Sequence, residues 1–332
     1  MVTFGGVELP LVLEVEERNR KVFVEQAIPG ASLAKRLVRG GFGREFMVRG
    51  LIRDDTQTKL LMHCNGANGS QAFVDSSLYG RAITAHGHAQ HDTSTYKLGT
   101  ASAKFDNDGD DYLEITNSVG FTDFGYDDFT IDMWLRFSAL NTGVIISQYQ
   151  GDQHNWALSL NQSDGTYKIS WTVRYGDWWS PVDFERSLPS LQTNTWYHFA
   201  FVRSGADWYM FWNGSLLGSK HTYLKYMNYY NAPVTVASLG PYIVLRNVWF
   251  DEVRISRGVA RWTSDFTPPD REYDVRVNDY KATVRSLADG TPRALDFQDG
   301  SSTVTCLMLD PVFRESGKPN QALYEVFFVQ SA

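Results

Sequence analysis

Apolar and polar residues alternate with a period of two along most of this chain. Leu11, Leu13 and Val15 form one apolar row, and Phe46, Val48 and Ile52 form another, with Glu45, Arg49 and Arg53 on the opposite side. A period of two places successive side chains on opposite faces of an extended strand, so these runs predict half-buried β-strands. Between them, IPGASLAKRLVRGGFGRE is punctuated by Pro29-Gly30 and Gly40-Gly41, with room for one helical turn at Ser32 to Val38. No long amphipathic helix is predicted anywhere.

From about Lys59 to Pro269 the strands become aromatic-rich. Phe129, Ile131, Met133, Leu135 and Phe137 alternate with Thr130, Asp132, Trp134 and Arg136. Tyr167, Ile169, Trp171, Val173 and Tyr175 alternate with Lys168, Ser170, Thr172 and Arg174. Trp196 to Arg203 and Asp207 to Trp212 are further strands, followed by Asn213-Gly214, which supplies the two positive-φ residues of a tight hairpin. Recurrent short strands with turn signals between them predict an all-β sandwich, with Trp196 and Trp208 in its core. Thr267-Pro268-Pro269 ends the pattern, because consecutive prolines stop a hydrogen-bonded ladder. Alternation then resumes at Tyr273, Val275 and Val277, at Val304, Cys306 and Met308, and at Tyr324, Val326 and Phe328. Neither flank is long enough to bury a core alone, so the two together predict one outer domain, 1–58 plus 270–332, split by an inserted domain at 59–269.

With 43% hydrophobic and 21% charged residues, the 332-residue chain can bury two cores. A net charge of −7 without a basic run argues against nucleic acid as a partner, because phosphate binding rests on Lys and Arg. The two cysteines, Cys64 and Cys306, fall in different predicted domains and are read as buried free thiols, a bridge being the alternative. No stretch reaches membrane-spanning length, which predicts no membrane insertion. The first residues lack the basic segment of a secretory signal, so the chain is expected to be made in a host cytoplasm and to leave by lysis or within a particle.

Four blocks of the central segment, LLMHCNG at 60–66, FDNDGDDYLEI at 105–115, DDFTIDMWLRF at 127–137 and TWYHFAFVRSGADWYMFWNGSLLGS at 195–219, resemble the laminin-G/concanavalin-A-like family. NVWFDEVRISRGVARWTSDFTPP at 247–269 adds the closing strand and exit. The resemblance implies an antiparallel jelly-roll β-sandwich, often with bound carbohydrate and a structural calcium ion (Ca2+). The family's calcium positions correspond here to Asn65 and Asp251. The flanks, VTFGGVELPLVLEVEE, IPGASLAKRLVRGGFGREFMVRGLI and PNQALYEVFFVQ, resemble distal-tail and baseplate proteins of tailed phages, which form rings through a small split β-barrel. That likeness implies a virion tail-tip protein, other tail proteins as partners and a homo-oligomeric ring, a hexamer in the family.

Other chemistry is weaker. Asp106 to Asp110 reads as a solvated acidic turn, since an EF-hand loop needs a glutamate at its twelfth position and flanking helices. His86, His88 and His91 have no partner at a diagnostic spacing and are read as surface histidines. A glycan hydrolase needs two carboxylates facing each other across its substrate. Asp251 and Glu252 are adjacent, which on a regular strand turns them to opposite faces, so no enzyme is predicted. Two aromatic groups lie outside the strand pattern: Tyr175 leading into Trp178 and Trp179, and Tyr223, Tyr226, Tyr229 and Tyr230 in HTYLKYMNYYNAP. Rings on polar loops present flat faces to sugar C–H surfaces. The expected function is attachment to a host-surface glycan through these residues. The alternatives are a purely architectural virion protein whose rings meet a neighbouring subunit, and a glycan-cleaving enzyme on the same fold.

Overall fold

The alternation at 129–137 forms a single strand, Phe129–Phe137, paired with Trp196–Ser204 on one side and Val248–Arg257 on the other. In the computed structural model these strands are the middle of a nine-stranded sheet, ordered Ser215–Leu216, Asp207–Trp212, Trp196–Ser204, Phe129–Phe137, Val248–Arg257, Ser102–Phe105 and Gln90–Asp92, with Thr58–Met62 and His221–Thr222 attached. A second nine-stranded sheet runs Phe184–Ser187, Thr166–Tyr175, His154–Ser163, Gly143–Tyr149, Val234–Val236, Tyr112–Ile115 and Ile83–His86, with Ser238–Leu239 and Ile243–Val244 beside it. Among the described residues every pairing is antiparallel except the contact of Val144 with Val244. The structure describes residues 3–4, 7–9, 12–21, 42–53, 55–106, 110–118, 120–151, 154–175, 184–273, 277–296, 304–309, 311–315 and 321–330.

The odd-numbered residues of 129–137 share one apolar cluster with Trp156, Leu158 and Leu160 and with Ile169, Trp171 and Val173 of the second sheet. Aromatic rings join the two layers: Trp171 of the second sheet lies 4.5 Å from Phe201 of the first, and its neighbour within the second sheet, Trp156, lies 5.5 Å away, centroid to centroid. Offset and tilted ring pairs at such distances add to simple burial. Trp208 is part of this core, as read from the sequence, whereas Trp196 at the start of its strand is only half-buried.

The first sheet is covered on its outer face as well. Ala200, Val202, Tyr209 and Phe211 are buried beneath Ala260, Trp262 and Phe266 of the segment that follows Arg257, with Trp262 stacked on Phe266 at 4.1 Å. The Asn213-Gly214 turn has both φ values positive, 50° and 79°, as the hairpin requires. Gly214 has a second role. Its nitrogen neighbourhood meets this covering segment so closely that a Cβ would lie 1.9 Å from the Phe266 carbonyl oxygen, and the Phe266 N–H donates to Gly214 O at 2.9 Å.

The chain divides into two units, Thr56–Tyr273 and Met1–Asp55 with Asp274–Ala332. In the second, an eight-stranded antiparallel sheet is ordered Val7–Glu8, Thr3–Phe4, Arg293–Asp296, Val304–Met308, Gln321–Gln330, Phe42–Arg53 and Val12–Lys21, with Val312–Glu315 also on Gln321–Gln330. Its two sequence halves are joined by Phe42–Arg53 against Gln321–Gln330, paired from Gln321 with Arg53 to Val329 with Glu45. Phe4, Phe46, Val48, Leu295, Cys306, Tyr324, Val326 and Phe328 make its core.

The sequence reading is corrected here at two places. Residues 277–286 form a helix, Val277–Ser286, where strand alternation was predicted. Val277, Tyr280, Val284 and Leu287 recur at helical spacing, and Val284 and Leu287 are buried in this core. His91 is not a surface residue: it is buried, stacked on Phe73 at 4.0 Å, with Nδ1 2.8 Å from Ser70 O. His86 is half-buried against Tyr112 and His88 is exposed. Cys64 and Cys306 are both free and buried. The turn predicted at Ser32 to Val38 lies outside the described residues.

Candidate functional site

His221–Thr222 pairs with Asp207–Trp208, and the chain then crosses the end of the sandwich to reach Val234–Val236. This crossing is fastened at short intervals. Tyr223 N–H donates to Ala206 O at 2.8 Å, and Trp208 Nε1 donates to Tyr223 O at 2.6 Å. Met227 and Gly125 exchange backbone hydrogen bonds of 2.9 and 3.1 Å. Tyr230 is 1% exposed; its hydroxyl donates to Arg174 O at 2.8 Å, and its carbonyl accepts from Asn117 Nδ2 and Gln148 Nε2. Gln148 Oε1 accepts in turn from the buried Trp156 indole, which ties the crossing to the core.

Between fastened residues the chain is extended, so neighbours of buried residues face outward. Tyr223 is 49% exposed, Tyr226 52% and Tyr229 42%. Tyr126, 58% exposed, comes from the turn that holds Met227, and its ring meets that of Tyr226 edge-on at 5.1 Å and 72°. The Tyr229 hydroxyl accepts from Asn117 Nδ2 at 3.3 Å. Half-exposed tyrosines with the Asn117 amide beside Tyr229 form a rim of ring faces and hydroxyls, while Asp127, next to Tyr126 in sequence, is paired with Arg257 at 2.9 Å. Arg203 supports it from below: it is buried, donates to Gly125 O at 2.9 Å, and lies 5.8 Å from the Tyr126 ring.

Of the residues singled out in the sequence, Tyr223, Tyr226 and Tyr229 are brought to this rim. Tyr230 is not a surface residue and is corrected to a core position, because the crossing turns inward there. Arg174 O, its partner, precedes Tyr175, whose backbone ends a strand opposite His154. Trp178 and Trp179 lie outside the described residues. Tyr126 was missed; the only signal was Gly125, whose positive φ of 54° marks a turn on the surface.

A second group of polar residues surrounds Asp251. Pairing of Val248–Arg257 with Phe129–Phe137 slips between Asp132 and Trp134, and Glu252 takes a positive φ of 50°. This bulge breaks the alternation that would have put Asp251 and Glu252 on opposite faces of a regular strand, and both are fully buried. Asp251 Oδ2 accepts from the Lys97 and Leu98 N–H groups at 2.8 and 3.0 Å, and Oδ1 is enclosed with no side-chain partner among the described residues. Burial pushes its pKa up to about 7 despite those donors. Asn65 Oδ1 accepts from Thr100 N–H at 2.6 Å and Thr100 Oγ1 at 3.0 Å, and its Nδ2 donates to Glu272. Three of the side-chain oxygens by which Asn65 and Asp251 would hold calcium face these surroundings, and two of them are taken by N–H and O–H donors of residues 97–100. The pair therefore fits a clamp on that turn better than a calcium ion, which takes six to eight oxygen ligands.

Beyond the bulge, Asp132 is buried with Arg254, which donates to it through Nε and a terminal nitrogen at 2.9 and 3.1 Å. The Tyr273 hydroxyl also donates to it at 2.5 Å, and Arg254 lies 3.5 Å from the centre of the Tyr273 ring. Burial opposes the carboxylate, but the Arg254 charge and the nearby His198 outweigh it and lower the Asp132 pKa to about 2.

Residues 107–260 match the laminin-G-type family described as the concanavalin A-like lectin/glucanases superfamily. No curated protein sequence matches the chain. Among solved structures, botulinum neurotoxin type C, described with its dependence on two ganglioside molecules for cell entry, is similar at 16% identity and a TM-score of 0.43 over 70% of this chain and 52% of that one. The chain thus spans about half the length of that toxin structure. The binding domain of Paraclostridial Mosquitocidal Protein 1 is similar at 12% identity and a TM-score of 0.45, over 79% and 72% of the two chains. Domain 4 of AbnA, an extracellular arabinanase of Geobacillus stearothermophilus in complex with arabinotriose, is similar at 15% identity and a TM-score of 0.44, over 61% and 94%.

Proposed function

We propose that this concanavalin-A-like sandwich attaches its bearer to a surface glycan through the tyrosine rim, and that the split unit seats it in a phage tail-tip assembly. One observation carries the binding reading: Tyr223, Tyr226 and Tyr229, with Tyr126 beside them, stay 42–58% exposed although the segment that bears the three is hydrogen-bonded to the core at 223, 227 and 230. Rings held in place lose little freedom on binding, and their apolar faces match sugar C–H surfaces while the tyrosine hydroxyls offer hydrogen bonds to sugar hydroxyls. A binding rather than hydrolytic role is supported by the burial of Asp251 and Glu252, each committed to protein hydrogen bonds.

The assembly reading is supported by the split unit. Its long strand Val12–Lys21 pairs on one side only among the described residues, leaving a backbone edge for another chain. The test is a printed array of glycans ending in glucose, galactose, N-acetylglucosamine, arabinose and sialic acid, probed with the full chain, alongside light scattering of the same sample. Selective array binding by a multimer is the expected result. A strict monomer would overturn the ring, and failure to bind any sugar while still assembling would assign the rim to contacts between subunits.

A further inference from the structure

The crossing of residues 63–66 with the end of the sandwich unit brings together three groups that the glycan reading does not use. His63 follows the strand Thr58–Met62, Glu252 sits on the bulge of Val248–Arg257, and Glu272 lies on the segment that leaves the unit. Pairing of Val253 with Met62 sets Glu252 and His63 side by side, and positive φ at Cys64 (57°) and Glu252 (50°) turns the chain at both. His63 Nδ1 lies 2.7 Å from Glu252 Oε1 and 3.9 Å from Glu272 Oε1, and the three ligand atoms lie within 4.8 Å of one another.

We propose that His63, Glu252 and Glu272 bind a divalent first-row transition ion of the zinc type. Zinc–nitrogen and zinc–oxygen bonds of about 2.0–2.2 Å at tetrahedral angles separate neighbouring ligand atoms by roughly 3.3–3.5 Å. The observed 2.7 and 3.9 Å from His63 to the two glutamates bracket that value and the glutamates lie within 4.8 Å of each other, so small side-chain movements, with loss of the bond Glu272 Oε1 accepts from Asn65 Nδ2, complete three corners and leave the fourth to water. An imidazole nitrogen among the ligands selects a transition ion over calcium or magnesium, which take oxygen.

The corner also concentrates buried carboxyl groups. Asp251, next to Glu252, is fully buried, with its Oδ2 held by the Lys97 and Leu98 N–H groups and its Oδ1 bonded to no side chain among the described residues. Arg254, the nearest arginine along the strand, is already committed to Asp132. Gly99 closes the corner: a Cβ there would fall 2.3–2.7 Å from Asn65 and Glu272 side-chain atoms, so the turn packs directly on the ligand shell. The bound ion replaces the proton that His63 Nδ1 shares with Glu252, and that proton leaves to solvent. It would fasten the last turn of the sandwich unit to its first strand, whatever the rim binds.

The test is thermal unfolding and equilibrium dialysis of the full chain with zinc sulfate, against calcium chloride and magnesium chloride. The expected result is one zinc per chain and a raised Tm with zinc alone. Glu272→Gln, on a half-exposed residue that should fold normally, should weaken zinc binding at least tenfold, and His63→Gln should do the same, while His88→Ala should not. No bound zinc, equal stabilisation by calcium, or unchanged zinc binding in Glu272→Gln would each overturn the proposal.

Discussion

Tyr226 and Tyr230 lie four residues apart on one crossing segment, and truncating each to alanine should leave opposite signatures. Tyr230 is enclosed and its hydroxyl is bonded to Arg174 O. An aromatic side chain buries on the order of 150–250 Å², and at about 25 cal/mol per Å² its removal costs about 4–6 kcal/mol, overlapping the roughly 3–5 kcal/mol of core aromatic truncations. Tyr226 is 52% exposed, so about half of that area is buried and the same arithmetic gives roughly 2.5 kcal/mol as an upper bound. Recovered side-chain freedom offsets about 1 kcal/mol of it. A domain of roughly 150–250 residues shifts its Tm by about 2–4 °C per kcal/mol. Tyr230→Ala should therefore lower Tm by roughly 10 °C or more, and Tyr226→Ala by only about 2–6 °C. Binding to an arrayed glycan should fall about fivefold to tenfold in Tyr226→Ala, the loss of about 1–1.4 kcal/mol from one ring contact. Near-ultraviolet circular dichroism on heating and array titration of the same samples read both. If Tyr226→Ala binds normally at an unchanged Tm, the rim is not the recognition surface; if it unfolds as readily as Tyr230→Ala, the exposure argument is wrong.

Two further substitutions probe what supports the rim. Gly214→Ala places a Cβ at a φ of 79° and 1.9 Å from Phe266 O, so the covering segment must move; a loss of about 2 kcal/mol or more, with faster proteolysis within residues 258–273, is expected, and a wild-type digestion pattern would refute the close approach. Asp132 ionises more readily in the folded than in the unfolded chain, so its contribution is full above about pH 4 and is lost as pH falls towards 2. A shift from 3.8 to about 2 corresponds to about 2 kcal/mol. Asp132→Asn should be strongly destabilised near neutral pH and should lose that part of the acid-side slope; an unchanged slope in urea titrations between pH 2 and 5 would place the dependence elsewhere.

The β class and most strands were legible because alternation is a local property that survives folding. Asp207–Trp212 and its hairpin needed only the six-residue run and Asn213-Gly214. What alternation cannot report is a second covered face. Asp132 and Trp134 occupy the polar-side positions of their strand, yet both are buried, because Trp262, Phe266 and Tyr273 lie across them or beside their partners. That cover comes from more than 120 residues away in sequence, from the stretch between the last strand's end at Arg257 and the unit's end at Tyr273, so the prolines at 268 and 269 mark neither boundary. The helix Val277–Ser286 was missed for a related reason: Val275 and Val277 continue the period of two, while Val284 and Leu287, which decide for a helix, come later.

The site divides along the same line. Tyr223, Tyr226 and Tyr229 stood out because rings in a polar, aperiodic stretch have no strand face to occupy. Composition could not separate Tyr229 from Tyr230, since their difference is one inward turn set by Gln148 and Arg174. Alternation likewise predicted opposite faces for Asp251 and Glu252, and a single bulge with one positive-φ glutamate defeats it. That irregularity is itself informative. A non-glycine residue in the left-handed region costs of order 1–3 kcal/mol, and it persists only where surrounding contacts hold it. Here those contacts are the His63 ring, the Tyr273 N–H and the turn at 97–98, all of which depend on the bulge to be reached. Restoring a regular strand would free that strain but withdraw Glu252 from His63, so the bulge exists for the acidic corner rather than for the sheet.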